Sequence, residues 1–234
     1  MINVRIADIN VRMHNRFSYI GAMCRGYTAE FETADIEVET NDRDIAEEIK
    51  NTDFPTEPPY AEAACLHREI AERIWQFDAF LLHAALIECD GVGYAFAARS
   101  GVGKSTHIGL WQKVFGNRVC IVNGDKPIVK LTEKGVEAFG TPWNGKEGFG
   151  ENRGCPLRAL CFLERGSENR IESISSDEAV ARLFPQVYLP QGEEAAAKTL
   201  ELLDTFVGKV SFFRLACNME DEAAVTAHGA MSKA

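Results

Sequence analysis

The residues whose types and spacing most clearly suggest chemistry are Ala98-Arg-Ser-Gly-Val-Gly-Lys-Ser105, a glycine-rich turn closed by a lysine and a hydroxyl. The chemistry is anion binding. Glycines let successive backbone N–H groups face one phosphate without a Cβ in the way. A lysine adds a point charge for the β- and γ-phosphates, and a serine hydroxyl completes a Mg²⁺ shell. The pattern is that of a Walker A loop, with Ala98 where the strict form has glycine. That exchange costs little at negative φ and about 1 kcal/mol in a left-handed conformation. Ser100, Gly101, Val102, Gly103, Lys104, Ser105 and Thr106 are the expected nucleotide contacts, with ATP and Mg²⁺ as the ligands.

A Mg²⁺-polyphosphate site calls for a carboxylate beside the γ-phosphate. Asp125 follows the next short apolar run, Val119–Val122, and is the expected metal ligand or base, together with Ser105 for the metal. Asn123-Gly-Asp125 is also a good turn sequence, so a plain turn aspartate is the alternative. Further on, Phe139–Arg153 holds four glycines, a tryptophan, two bases and two acids. Loops that close over phosphates have such composition, with Gly for hinge freedom and Lys or Arg for the transferring charge. Lys146 and Arg153 are the candidates; the alternative is a solvated loop whose Trp143 packs on the core. His83, alone in an apolar run, reads by itself more readily as a core histidine.

Two segments become specific in combination. Leu82-His-Ala-Ala-Leu-Ile-Glu-Cys-Asp-Gly-Val-Gly-Tyr-Ala-Phe-Ala-Ala98 runs unbroken into the loop, and Val122-Asn-Gly-Asp-Lys-Pro127 follows it. Together they resemble the catalytic domain of HPr kinase/phosphorylase and its relatives, which share a nucleotide-binding core with phosphoenolpyruvate carboxykinase. The resemblance covers residues 80–130, is looser over Leu157–Glu164, and touches the Gly-Thr-Pro-Trp stretch weakly; residues 1–60 lie outside it. It implies a role for His83 in orienting the acceptor or Asp125, or in binding phosphate. The two adjacent acids of the family fall on Gly124 and Asp125, so only the second is present. The long C-terminal signature of authentic HPr kinases is also missing, which argues against HPr itself as substrate.

The elements that must position these groups are legible in outline. Ile2–Ile6, Asn10–Met13, Tyr27–Phe31 and Ile36–Glu39 alternate like strands of hairpins, and Asn51–Tyr60, with three prolines, reads as a linker. Ala61–Phe77 has helical spacing at Leu66, Ile70 and Ile74, leaving Glu62, Arg68, Glu69 and Arg73 for the other side. Phe80–Cys89 and Val92–Ala98 form a hairpin about Asp90-Gly91. Ser105–Phe115 is a helix stopped by Gly116-Asn117. Strands are expected at Ile128–Leu131, Val136–Phe139, Leu157–Leu163 and Val210–Leu215, and helices at Ser176–Phe184, Gly192–Leu203 and Glu220–His228. The fold class expected is α/β: a P-loop domain of the HPr kinase/phosphoenolpyruvate carboxykinase type with a mixed sheet over 56–234, preceded by a β-rich segment over 1–55.

Composition narrows the partners. The 234 residues carry a net charge of −10 with no basic cluster, which argues against nucleic acid. Seven cysteines without a CxxC pair read as free thiols in a reducing cytoplasm. There is no basic-then-apolar leader and no long apolar run, so no membrane partner is expected; a second copy of the chain is a further candidate. The leading expectation is ATP-dependent phosphotransfer to a hydroxyl of a protein, peptide or small molecule. A nucleotide-sensing module without catalysis is the second. A carboxykinase-like enzyme ranks last, because the carboxylate-binding arginine cluster it needs is not evident.

Overall fold

The computed structural model describes residues 1–234. Alternating apolar positions bend the first residues into an antiparallel pair, β1 (Ile2–Ile6) and β2 (Ile9–His14), joined by Ala7 and Asp8 at positive φ. A short helix α1 (Tyr19–Met23) follows. Then β3 (Ile36–Glu39) joins β2 in parallel, giving a three-stranded sheet instead of successive hairpins. Tyr27–Phe31 is not a strand; only Thr28 bridges to Val4.

Asn41 caps α2 (Asp42–Asn51) by accepting from the N–H groups of Arg43 and Asp44. Pro58 opens α3 (Pro58–Ala71), so the prolines read as a linker partly start a helix. α3 stops at Ala71, and Ile74–Phe77 is a separate 3₁₀ turn. Glu62 does not face solvent. It is fully buried and accepts from the N–H groups of Arg16 (2.5 Å) and Phe17 (3.0 Å), fastening the approach to α1 onto α3. The cluster made by this sheet continues through Leu66 and Ile70 of α3 into Ala79, Leu81 and Ile128.

The apolar run after α3 divides into β4 (Ala79–Leu81) and β5 (Ala85–Cys89), with His83 between them. β5 turns at Asp90-Gly91 into β6 (Val92–Ala97), followed by the glycine loop and α4 (Lys104–Phe115). Next come β7 (Val119–Asn123), β8 (Ile128–Thr132), β9 (Gly135–Phe139) and the long β10 (Gly154–Arg165). β11 (Arg170–Ser173), α5 (Ser176–Leu183), α6 (Glu193–Lys209), β12 (Ser211–Cys217) and α7 (Glu222–Met231) complete the chain. β11 was not anticipated.

The nine-stranded sheet runs β4-β8-β9-β10-β6-β5-β7, with β12 on β10 and β11 on β12. β10 pairs antiparallel with β9 at its start, then parallel with β6 from Leu157, across a register shift between Leu157 and Ala159, and with β12 from Ala159, so the sheet curls. The chain is therefore mixed α/β, with a curled mixed sheet and a small N-terminal sheet. Alternate residues of β6 serve opposite faces. Tyr94 and Phe96 pack with Trp111 of α4 and Ala224 of α7, while Ala95 and Ala97 pack with Phe206 of α6. All seven cysteines are free, five of them buried, and no helix is long and apolar enough to cross a membrane.

Candidate functional site

Strand directions gather the chemistry. β5 is antiparallel to both β6 and β7, so its start lies at the end where β6 and β7 finish. His83 precedes β5, Ala98–Gly103 follows β6 and Asp125 follows β7, which brings all three to one edge. Ala84 N–H donates to the Asp125 carbonyl at 3.1 Å, tying the first to the third.

In the loop, Gly101 (φ +77°) and Gly103 (φ +125°) occupy conformations that L side chains rarely adopt. Ala98 is not in that region, so its exchange for glycine is the inexpensive one. Gly103 sits at the N-cap of α4, whose positive end faces the loop. Arg165, at the parallel end of β10, donates to the Gly101 carbonyl at 2.6 Å and ties the loop to that strand. Nothing in the sequence around Arg165 announces that contact.

The Lys104 side chain is only 9% exposed, with its Nζ 3.6 Å from Asp125 Oδ1. Asp125 also lies 3.2 Å from His83 Nε2 and 3.3 Å from Lys126 Nζ. The turn is built by buried Asn123, whose Oδ1 accepts from the N–H groups of Asp125 and Lys126 while its amide donates to the Thr141 carbonyl. Burial opposes the charge on Asp125. The hydrogen bond from His83 and the charges of Lys126, His83 and Lys104 outweigh it and hold the carboxyl well below the usual range. Burial pushes the Lys104 ammonium down, with Asp125 opposing. His83 Nε2 also lies 2.9 Å from Lys104 Nζ. An ammonium only donates and a carboxylate only accepts, so one ring nitrogen cannot serve both at once. Accepting from Lys104 and donating to Asp125 are alternative states of the same atom.

Gly124 has a physical reason. A Cβ there would meet the Asn144 carbonyl oxygen at 2.4 Å, because the 140–151 loop lies against it. The loop is held by Gly124 N–H to the Phe149 carbonyl (2.9 Å) and Glu151 N–H to the Val122 carbonyl (3.0 Å). The position has no room for a side chain, acidic or otherwise.

These groups line a cleft of about 1220 Å³. Of the residues expected at the site, Ser100, Gly101, Gly103, Lys104, Ser105, Thr106, His83, Asp125 and Lys146 line it; Val102 and Arg153 do not. Val102 turns toward the cluster under α4. Arg153 precedes β10, at the opposite end of the sheet from the loop, and pairs with Glu88 (2.7 Å) and Glu151 (3.9 Å). It therefore does not reach the cleft beside the glycine loop, contrary to the expectation that it faces a transferring charge. Sequence reasoning missed Lys126, visible beside Asp125, and Glu147 and Arg99, which also line the cleft. It missed the far wall as well, where Tyr19 and Met23 of α1 and Tyr60, Ala63, Ala64 and His67 of α3 bring the N-terminal segment into the site.

Ser105 and Asp125 both line the cleft and carry oxygen donors of the kind a Mg²⁺ takes alongside phosphate and water; such an ion needs no all-protein cage. No three His, Cys, Asp or Glu residues gather as a ready-made metal cluster. No protein-family model matches the chain, and no curated protein matches it significantly.

Proposed function

We propose that the chain is an ATP-dependent kinase related to HPr kinase, moving the γ-phosphoryl group onto a hydroxyl. The observation that carries the reading is the convergence of His83, Lys104 and Asp125 at the mouth of a glycine loop that opens a helix. In this reading the loop amides of Gly101–Ser105 and the α4 N-terminus bind the phosphates. Lys104 turns from His83 to them. Ser105 and Asp125 would hold a Mg²⁺, which would supply positive charge to the phosphates. With Lys104 engaged elsewhere, His83 Nε2 is free to donate to Asp125 and fix its orientation.

The acceptor oxygen forms the new bond to the γ-phosphorus as the bond to the β,γ-bridging oxygen breaks. Where Asp125 serves as the base instead of a metal ligand, the acceptor proton passes to it and metal binding falls to Ser105 and the phosphates. A carboxyl held this low is a weak base, which suits phosphoryl transfer, where positioning and electrostatics supply most of the acceleration. Lys146 and Lys126 face the transferring charge. The free cysteines suit a reducing cytoplasm.

A second reading, a nucleotide-sensing module, is favoured by the closure of position 124 to a second acid. Incubation with γ-labelled ATP and size-separated lysate fractions separates the two. Label moving to a protein, peptide or small-molecule pool, and lost with Asp125→Asn, supports the kinase. ATP binding with no labelled acceptor in any fraction supports the sensor.

A further inference from the structure

Gly140-Thr-Pro-Trp143 opens the loop that carries Lys146, and three of its residues each meet a different part of the molecule. A Cβ on Gly140 would run into the carbonyl oxygens of Glu151 and Val122, so the chain passes here between two backbones. Trp143 donates from Nε1 to the Ala63 carbonyl of α3 (2.9 Å) and lies against His67, with ring centres 4.7 Å apart. Between the two, Thr141 is 1% exposed and turns its hydroxyl to the turn that carries Asp125.

That turn is bonded at every polar main-chain group from Asp125 to Pro127. Asn123 Oδ1 accepts from the N–H groups of Asp125 (2.8 Å) and Lys126 (2.6 Å). Ala84 N–H donates to the Asp125 carbonyl and Leu82 N–H to the Pro127 carbonyl, each at 3.1 Å; proline itself has no N–H. The Lys126 carbonyl is met by Thr141, whose Oγ1 donates to it at 2.7 Å and accepts from Asn123 Nδ2 at 3.2 Å. One buried hydroxyl thus braces both Asn123, at the start of the turn, and the carbonyl behind Asp125.

The carboxylate has little else to fix its direction. Its Oδ1 lies near His83 and Lys104 and its Oδ2 near Lys126, so two of its three partners are flexible lysines. In the kinase reading Lys104 leaves it for the phosphates, and the main chain beneath the carboxylate then sets where it points.

We propose that Thr141 is a positioning residue for Asp125: through Asn123 and the Lys126 carbonyl it sets the direction in which the carboxylate meets a bound nucleotide and its acceptor. Turnover as a readout of this role rests on the kinase reading; the direction of the carboxylate does not.

Three exchanges in the full chain test it. Thr141→Val keeps the shape and removes the hydroxyl, Thr141→Ala removes hydroxyl and methyl, and Thr141→Ser keeps the hydroxyl alone. His83 Nε2, 3.2 Å from Asp125 Oδ1, reports on the carboxylate. The five histidines are labelled with nitrogen-15 and their ring signals recorded at one pH without nucleotide, His83 being assigned by its loss in His83→Gln. Phosphate release from MgATP, with water as acceptor, gives kcat and KM. In Thr141→Val and Thr141→Ala the His83 signal should move while those of His14 and His228 stay. In both, kcat should fall about tenfold to a hundredfold, with KM for MgATP within about threefold. Thr141→Ser should keep the wild-type signal and a kcat within about threefold. Should Thr141→Val not fold, Thr141→Ala against Thr141→Ser still isolates the hydroxyl. An unmoved His83 signal or an unchanged kcat in Thr141→Ala overturns the proposal. So does a Thr141→Ser as slow as Thr141→Ala, or a shift of all five histidines together. No phosphate release by the wild type overturns the kinase reading instead, and the histidine spectra then decide on Thr141 by themselves.

Discussion

Asp125 is an acid among cations, and the arrangement sets what its removal does. Exchange of its carboxylate for an amide keeps the shape of the turn, because Asn123 binds the main-chain N–H groups and not the side chain. Asp125→Asn should therefore retain ATP affinity within a few-fold and lose transfer by roughly 10²–10⁴, measured as label moved per unit time. Gly124 allows a separate prediction. Gly124→Ala forces a Cβ to within 2.4 Å of the Asn144 carbonyl, so the 140–151 loop must shift. A loss of about 1–3 kcal/mol in a denaturant titration is expected, and Gly124→Asp should not restore a second acid. An unchanged midpoint would show that the loop yields freely. The loop glycines, Lys104 and Asp125 were legible as candidates because the phosphate and metal chemistry proposed for them restricts residue type and spacing. His67 and Arg165 were not, since their contacts depend on which elements the fold sets side by side.

Three strand directions decide which candidates meet. β5 begins where β6 and β7 end, so His83, the glycine loop and Asp125 share an edge, whereas Arg153 precedes β10 at the other end. Lys146→Ala should accordingly slow transfer by about tenfold or more. Arg153→Ala should leave it within twofold and cost stability through Glu88. Equal losses would contradict the placement. Helix α4 adds a pH dependence. His107 is buried against Phe96 and Trp111, and burial lowers it to about 4 from the unperturbed 6.5. Between those values the unfolded chain takes up a proton that the native helix refuses, so stability falls as pH drops from 6.5 toward 4. The slope approaches about 1.4 kcal/mol per pH unit for this group. Thermal unfolding across that range should flatten in His107→Gln. The helices and the Asp90-Gly91 hairpin were readable from period and turn chemistry. The parallel placement of β3 and the division of Phe80–Cys89 into two strands were not, because strand partners depend on packing between distant segments.

For the whole molecule, the N-terminal sheet shares one buried cluster with α3, β4 and Ile128. Its helix α1 supplies Tyr19 and Met23 to the cleft. The segment should thus unfold together with the rest, with fluorescence and far-ultraviolet dichroism giving coincident transitions. Two separated transitions would contradict that. The chain is acidic at −10, yet Arg99, Lys104, Lys126 and Lys146 face the cleft, so positive charge is gathered there. The central claim is phosphate binding by Ala98–Ser105, and titration of MgATP into the wild type and Lys104→Ala tests it most directly. The wild type should bind in the micromolar to millimolar range usual for enzyme substrates. The variant, folded by its dichroism, should bind at least about a hundredfold more weakly. Equal affinity in the two proteins would contradict the account.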